Sequence, residues 1–255
     1  MHGRLDNKTI VVVGGANGIG AGTVERLYEE GANVVIGDLE QGAAERVAHG
    51  LTGKGRVLAV ACDISKEDDV RSLIEVSEAE FGNIAGIHVN AADTSVVLRD
   101  TDPVALDLAV FDRTIAVNLR GHLLCTRFAV PALLRNGGGS IVYTSSRGAM
   151  IGEPVRVCYA MSKAGIHALM RNAASRWGKE GIRANVIAPG YIETRATAQT
   201  FNDADRQARI DAGRSPRLGV PADIAAMVAM LMSDDGEWIN GQVMHINGGG
   251  SFLSF

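Results

Sequence analysis

Cysteine, proline and aromatic residues are all scarce in this chain, and no long apolar run interrupts it. There are 3 cysteines, 6 prolines and 5% aromatics in 255 residues. Cys62, Cys125 and Cys158 lie far apart and are odd in number, so they predict no disulfide framework and point to a reducing compartment. The six histidines are scattered, and no HExxH or Cys/His cluster occurs, so no metal site is expected. No basic run is present and the formal net charge is −4, which argues against a nucleic-acid partner. The most apolar stretch, residues 224–232, is far shorter than the roughly 20 residues a membrane span needs. The opening MHGRLDNK is polar and lacks the apolar centre of a signal peptide. These absences predict a cytoplasmic protein without a membrane partner.

Glycine, by contrast, is abundant, with 31 residues and no Gly-X-Y repeat. Hydrophobic residues make up 46% and charged residues 21%, enough for a sizeable core. Short β-branched runs alternate with helix-length amphipathic segments. Strands are expected over residues 9–13, 33–36, 56–61, 86–90, 139–144, 183–188 and 242–246. Helices are expected between them. Ser65 opens a capping-box-like SKED before a helix to about residue 81. Two helices are expected over 103–136 and a long one over 157–178, while Pro221 suits the first turn of a last helix. This alternation predicts one α/β domain over residues 1–255, a doubly wound seven-stranded parallel sheet flanked by helices on both faces. The polar stretch within 191–215 reads as a substrate lid.

Two constellations carry chemistry. Directly after the first strand, Gly14, Gly18 and Gly20 occur at GxxxGxG spacing, a variant of the dinucleotide fingerprint. Glycines there let backbone N–H groups approach a pyrophosphate at a helix N-terminus. Asp38 closes the second strand 24 residues after Gly14, about where a ribose-binding carboxylate is expected. It would repel a 2′-phosphate, so NAD(H) is preferred over NADP(H). Tyr159 and Lys163 stand four apart, hence on one helix face. An ammonium beside a phenol lowers the phenol's pKa and makes it a usable general acid/base.

With GGANGIG, Asp63-Ile64, VNAAD, Asn118 in AVNLRG, Ser146 in YTSSRG, YAMSK and PGYIET in one order, the chain resembles the short-chain dehydrogenase/reductase family in its single-domain Rossmann form. The resemblance implies a catalytic tetrad of Asn118, Ser146, Tyr159 and Lys163. Ser146 would stabilise charge on the substrate oxygen, Tyr159 would move the hydroxyl proton, Lys163 would bind the nicotinamide ribose, and Asn118 would hold a relay water. The cofactor is expected at Gly14, Asn17, Gly18, Ile19 and Gly20, at Asp38 and Leu39, and at Asp63 and Ile64. It is also expected at Asn90 and Ala91, at Tyr159 and Lys163, and at Pro189, Gly190, Ile192 and Thr194. Gly190 would relieve crowding near the nicotinamide.

Three places depart from the family pattern: Val13 before the turn, Asn90-Ala91-Ala92-Asp93 where the family has NNAG, so that an asparagine and a glycine are lost, and Asn247 near the C-terminus. The second puts local backbone bonding in doubt. Substrate walls are expected from residues 94–100, 147–157 and 191–215, with Met150, Ile151 and Val155 as a mostly apolar lining. Arg147 would meet an acidic substrate or, as the commoner case, be a solvated or ion-paired loop residue. The apolar end of NGGGSFLSF reads as an interface strip or a frayed tail. The implied function is NAD(H)-dependent interconversion of a small, largely apolar secondary alcohol and its ketone, in a homotetramer. Reduction of acyl-thioester or keto-sugar carbonyls, and a non-catalytic redox sensor, remain open alternatives.

Overall fold

Strand β1, Thr9–Val13, is five consecutive β-branched residues, all of them buried. Such side chains suit a pleated sheet covered on both faces. The other strands are β2 (Asn33–Asp38), β3 (Val57–Ala61), β4 (Gly86–Val89), β5 (Gly139–Thr144), β6 (Ile182–Pro189) and β7 (Val243–Ile246). All pair in parallel in the order β3-β2-β1-β4-β5-β6-β7. The computed structural model describes residues 3–53, 55–198 and 202–252.

Alternate residues of one strand feed opposite cores. Val11 and Val13 pack with α3 (Glu67–Phe81), α5 (Gly121–Arg135) and α6 (Val157–Trp177), through side chains such as Leu73, Leu124 and Ile166. Ile10 and Val12 pack with α1 (Gly18–Glu29), α2 (Gln41–Gly50) and α9 (Pro221–Met232), through Leu27, Ala44 and Val228. The period of two along β1 therefore builds a three-layer Rossmann fold, as the sequence predicts. The order reverses between β1 and β4. A crevice opens there beyond the strands' C-terminal ends, where ligands of such sheets bind.

The structure revises three local expectations. Helix α3 starts at Glu67 after Lys66, and Ser65 does not cap it. Ser65 instead gives its N–H and hydroxyl to Asp63 Oδ1, at 3.0 and 2.6 Å. Glu67, Asp68 and Asp69 in the first turn supply the favourable negative charge. The two helices expected over 103–136 become one run: α4 (Leu108–Ile115), a π-helical segment (Ala116–Arg120) and α5. The widened turn takes the place of a loop, and the run continues through Pro131 inside α5. The expected lid contains α7 (Arg195–Ala198) and α8 (Asp203–Ala212), with residues 199–201 outside the described residues. The last residues of the expected interface strip, 253–255, also lie outside them. No helix among the described residues is long and apolar enough to cross a membrane.

Candidate active site

The glycine turn is fixed by contact as much as by flexibility. Gly14 has φ +78°, and a Cβ there would stand 2.6 Å from the Ala91 Cα. A Cβ on Gly20 would stand 1.8 Å from the Gly14 carbonyl oxygen. Only hydrogen fits at either position, so the start of α1 comes against the end of β1. Asn90 locks the turn by donating from Nδ2 to the Gly14 carbonyl at 2.9 Å.

Beside this turn lies a cleft of about 480 Å³ at the β1/β4 switch. Gly14, Asn17, Asp38, Leu39, Asp63, Ile64, Asn90 and Ala91 line it. Gly18 and Gly20 shape the turn, while Ile19 packs toward the core beneath α1. Asp38 Oδ2 accepts from the Ala16 N–H at 2.9 Å and Oδ1 from the Glu40 N–H at 3.0 Å. A carboxylate has about four acceptor sites, so these bonds orient it and leave capacity for hydroxyls. A backbone turn that Cβ atoms would block, facing an oriented carboxylate, fits a dinucleotide.

A second cleft of about 660 Å³ shares Ser95 with the first and contains Ser146, Tyr159, Pro189 and Gly190. Ser146 lies two residues beyond β5 and caps a 3-10 turn, Arg147–Ala149, where its Oγ accepts from the Gly148 N–H at 3.1 Å. Ser145 points elsewhere: it donates to the Lys163 carbonyl at 2.9 Å and bonds His167 Nε2 at 2.8 Å. Tyr159 and Lys163 share the first turns of α6. The Lys163 ammonium is 5.9 Å from the Tyr159 ring centroid and donates to the Thr144 carbonyl at 2.8 Å. Beneath it, the Thr144 hydroxyl bonds His88 Nε2 at 2.8 Å.

The electrostatics correct the sequence-based expectation for the phenol. Burial raises the Tyr159 pKa, against smaller opposite effects from its Ser146 hydrogen bond and from Arg156. Burial also lowers Lys163, at 1% exposure, to about 8. Cys158, beside Tyr159, is buried and its thiol is pushed up to about 11 by burial and by Asp100, which fits packing.

Asn118 sits fully buried in the π-helical segment. Its Oδ1 accepts from the Asp93 N–H at 2.8 Å, and nothing among the described residues accepts from Nδ2. The departure at Asp93 therefore leaves the backbone bonded. Asp93 also accepts from Ser95 and pairs with Arg113 at 2.6 Å, and its pKa falls despite burial because of these partners. Asn247 bonds Ser251 and accepts from the Gly249 N–H, holding the turn after β7. Gly190 makes room for Asn247: a Cβ would stand 2.8 Å from its Cα. Thr194 abuts Gly18, and Ile192 lines a neighbouring cleft with Tyr191.

Sequence reasoning missed Asp100. This carboxylate, 3% exposed, accepts from the Cys158 N–H at 3.0 Å and the Tyr159 N–H at 2.8 Å. Its own carbonyl accepts from the Arg156 N–H at 2.9 Å. One residue thus caps the helix carrying Tyr159 and Lys163 and ties it to the 94–100 loop. Its partners are about sixty residues away, and no local pattern announces them. The cleft is mostly apolar in surface, with Val97 and Leu98 beside Arg147, Gly148, Glu153 and Arg156, but Met150, Ile151 and Val155 do not line it. Loop side chains follow no period, so sequence could not choose among them.

Comparison with known proteins agrees with the geometry. Residues 14–251 match the family model described as enoyl-(acyl carrier protein) reductase. A probable short-chain type dehydrogenase/reductase of Bradyrhizobium diazoefficiens is 39% identical, covering 97% of this chain and 88% of the relative. Cis-4-hydroxycyclohexanecarboxylate dehydrogenase of Sinomonas cyclohexanicum is 37% identical over 95% of this chain and 96% of its own length. Among solved structures, 7α-hydroxysteroid dehydrogenase complexed with NADH and 7-oxo glycochenodeoxycholic acid superposes with a TM-score of 0.88. It is 30% identical, with 97% of this chain and 96% of that one covered. The chain belongs to the short-chain dehydrogenase/reductase family of oxidoreductases.

Proposed function

We propose that this protein interconverts a secondary alcohol and a ketone with NAD(H) as hydride carrier. The observation that carries the reading is the grouping of Ser146 and Tyr159 in a cleft adjoining the glycine-turn crevice, with the buried Lys163 ammonium 5.9 Å from the Tyr159 ring centroid. Gly14, Asn17, Asp38, Asp63 and Asn90 would hold the dinucleotide in that crevice, and it would supply hydride chemistry at the substrate's carbinol or carbonyl carbon. Tyr159 takes the alcohol proton as the C–H bond breaks and gives one back in the reverse direction. Ser146 donates its hydroxyl hydrogen to the substrate oxygen, since its Oγ already accepts from Gly148. Lys163 supplies the positive charge that favours the phenolate as the proton leaves. Asn118, with its unpaired buried Nδ2, is the group that anchors a relay water.

Asp38 supports the choice of NAD(H). It lies on the crevice wall, and its neighbours Gly37 and Leu39 offer no cation to a 2′-phosphate. The related solved structure named with NADH and a 7-oxo compound accords with both the cofactor and the ketone chemistry. The same reading makes residues 1–255 one domain, and the protein a cytoplasmic homotetramer, whose mass light scattering checks. The functional test is initial rates with NADH and NADPH on a panel of ketones. NADH is expected to give the higher kcat/KM by at least about tenfold. Equal or better use of NADPH contradicts the role given to Asp38.

A further inference from the structure

The cleft in front of Ser146 and Tyr159 is positive in a chain that is negative overall. The formal charge is −4, yet Arg147, Arg156 and Arg209 line this cleft against one acid, Glu153. Glu153 pairs with Arg156 at 2.7 Å, so those two charges cancel. Arg147 adds a cation that this pair does not neutralise. The Arg147 and Arg209 guanidiniums lie over the Tyr191 ring, with Cζ 5.2 and 5.0 Å from its centroid. Stacking on an aromatic face holds a guanidinium in plane and leaves its edge donors directed outward.

Arg147 is the better placed of the two. It lines the same cleft as Ser146 and Tyr159. It forms no ion pair among the described residues. One Nη1 hydrogen goes to the Gly250 carbonyl at 3.1 Å, and a guanidinium has five donors. A hydrocarbon substrate would desolvate this cation without compensation, whereas a carboxylate would receive a charge-assisted hydrogen bond.

We propose that the site takes a ketone or secondary alcohol that also carries a carboxylate, and that Arg147 recognises the anion. This rests on the alcohol–ketone reading of the same site, and it replaces the largely apolar substrate expected from sequence.

The test uses the intact protein, NADH and matched pairs: acetoacetate against methyl acetoacetate, and levulinate against methyl levulinate. The acid of at least one pair is expected to exceed its ester in kcat/KM by about tenfold, mainly through KM. That advantage should shrink as salt is raised. In Arg147→Gln the loss should be larger for the acid than for the ester, while Arg147→Lys retains part of the preference. The Gly250 contact makes Arg147→Gln a risk to folding, so the wild-type ratio and its salt dependence carry the decision. Esters reduced as well as or better than acids overturn the anion assignment and leave the alcohol–ketone reading intact. No NADH consumption with acids, esters or simple ketones contradicts that reading, and this assignment with it.

Discussion

The two halves of the site are built from different materials. On the β1–β4 side the wall is backbone: Gly14 and Gly20 are held where no Cβ fits, and Asn90 and Asp38 spend hydrogen bonds on main-chain groups. On the β5–β6 side the wall is side chains: Ser146, Tyr159 and a set of arginines on loops and helix ends. Backbone walls suit a ligand shared by many proteins. Side-chain walls can change without disturbing the fold, so substrate choice resides there.

Tyr159→Phe breaks the side-chain half most completely. Turnover should fall by about 10²–10⁴-fold, the scale of a lost general acid/base, while NADH affinity by calorimetry stays near wild type. Parallel loss of cofactor affinity would mean that the halves are not separable at this residue.

Lys163 sits where the halves meet, and its burial has a pH signature. Its folded pKa of about 8 lies below the ordinary 10.5. The unfolded chain therefore binds the proton more tightly, and stability rises with pH between about 8 and 10.5. Below that window the fold bears the whole cost of burying the ammonium, about 3 kcal/mol. Lys163→Met abolishes the slope. Its stability relative to wild type, from denaturant titrations of the cofactor-free proteins, should decline steadily across that window. A constant difference would contradict a buried ammonium.

Gly14→Ala attacks the backbone half. The new Cβ meets Ala91 and the φ of +78° is unfavourable, so NADH should bind about tenfold or more weakly. At saturating cofactor, kcat should drop far less than in Tyr159→Phe. The smallest expected effect belongs to Asp100→Asn. An amide there sets a donor against a helix N–H, costing about 1–2 kcal/mol of stability in a thermal or denaturant melt. A melt unchanged from wild type would remove Asp100 as the cap of α6.

This contrast also explains what the sequence disclosed. The glycine turn is legible because a backbone that excludes Cβ leaves a mandatory residue type at each point of contact. Tyr159 and Lys163 are legible because the helical repeat puts residues four apart on one face. Asp100 is not, because its bonds join a loop to a helix across about sixty residues. Ser65 misled because Asp63 competes for its hydroxyl. The choice of Met150, Ile151 and Val155 misled because loop residues 147–157 obey no period that says which side chains face inward.

The central claim is hydride transfer at one carbon with Tyr159 handling the proton. Its most direct measurement runs the wild-type protein with NAD and a secondary alcohol deuterated at the carbinol carbon, chosen from the alcohols of the ketones it reduces. The account predicts ketone and reduced cofactor in equal amounts, with the deuterium on the nicotinamide ring, and almost none of either from Tyr159→Phe. Deuterium released to water, or Tyr159→Phe turning over at the wild-type rate, would contradict it.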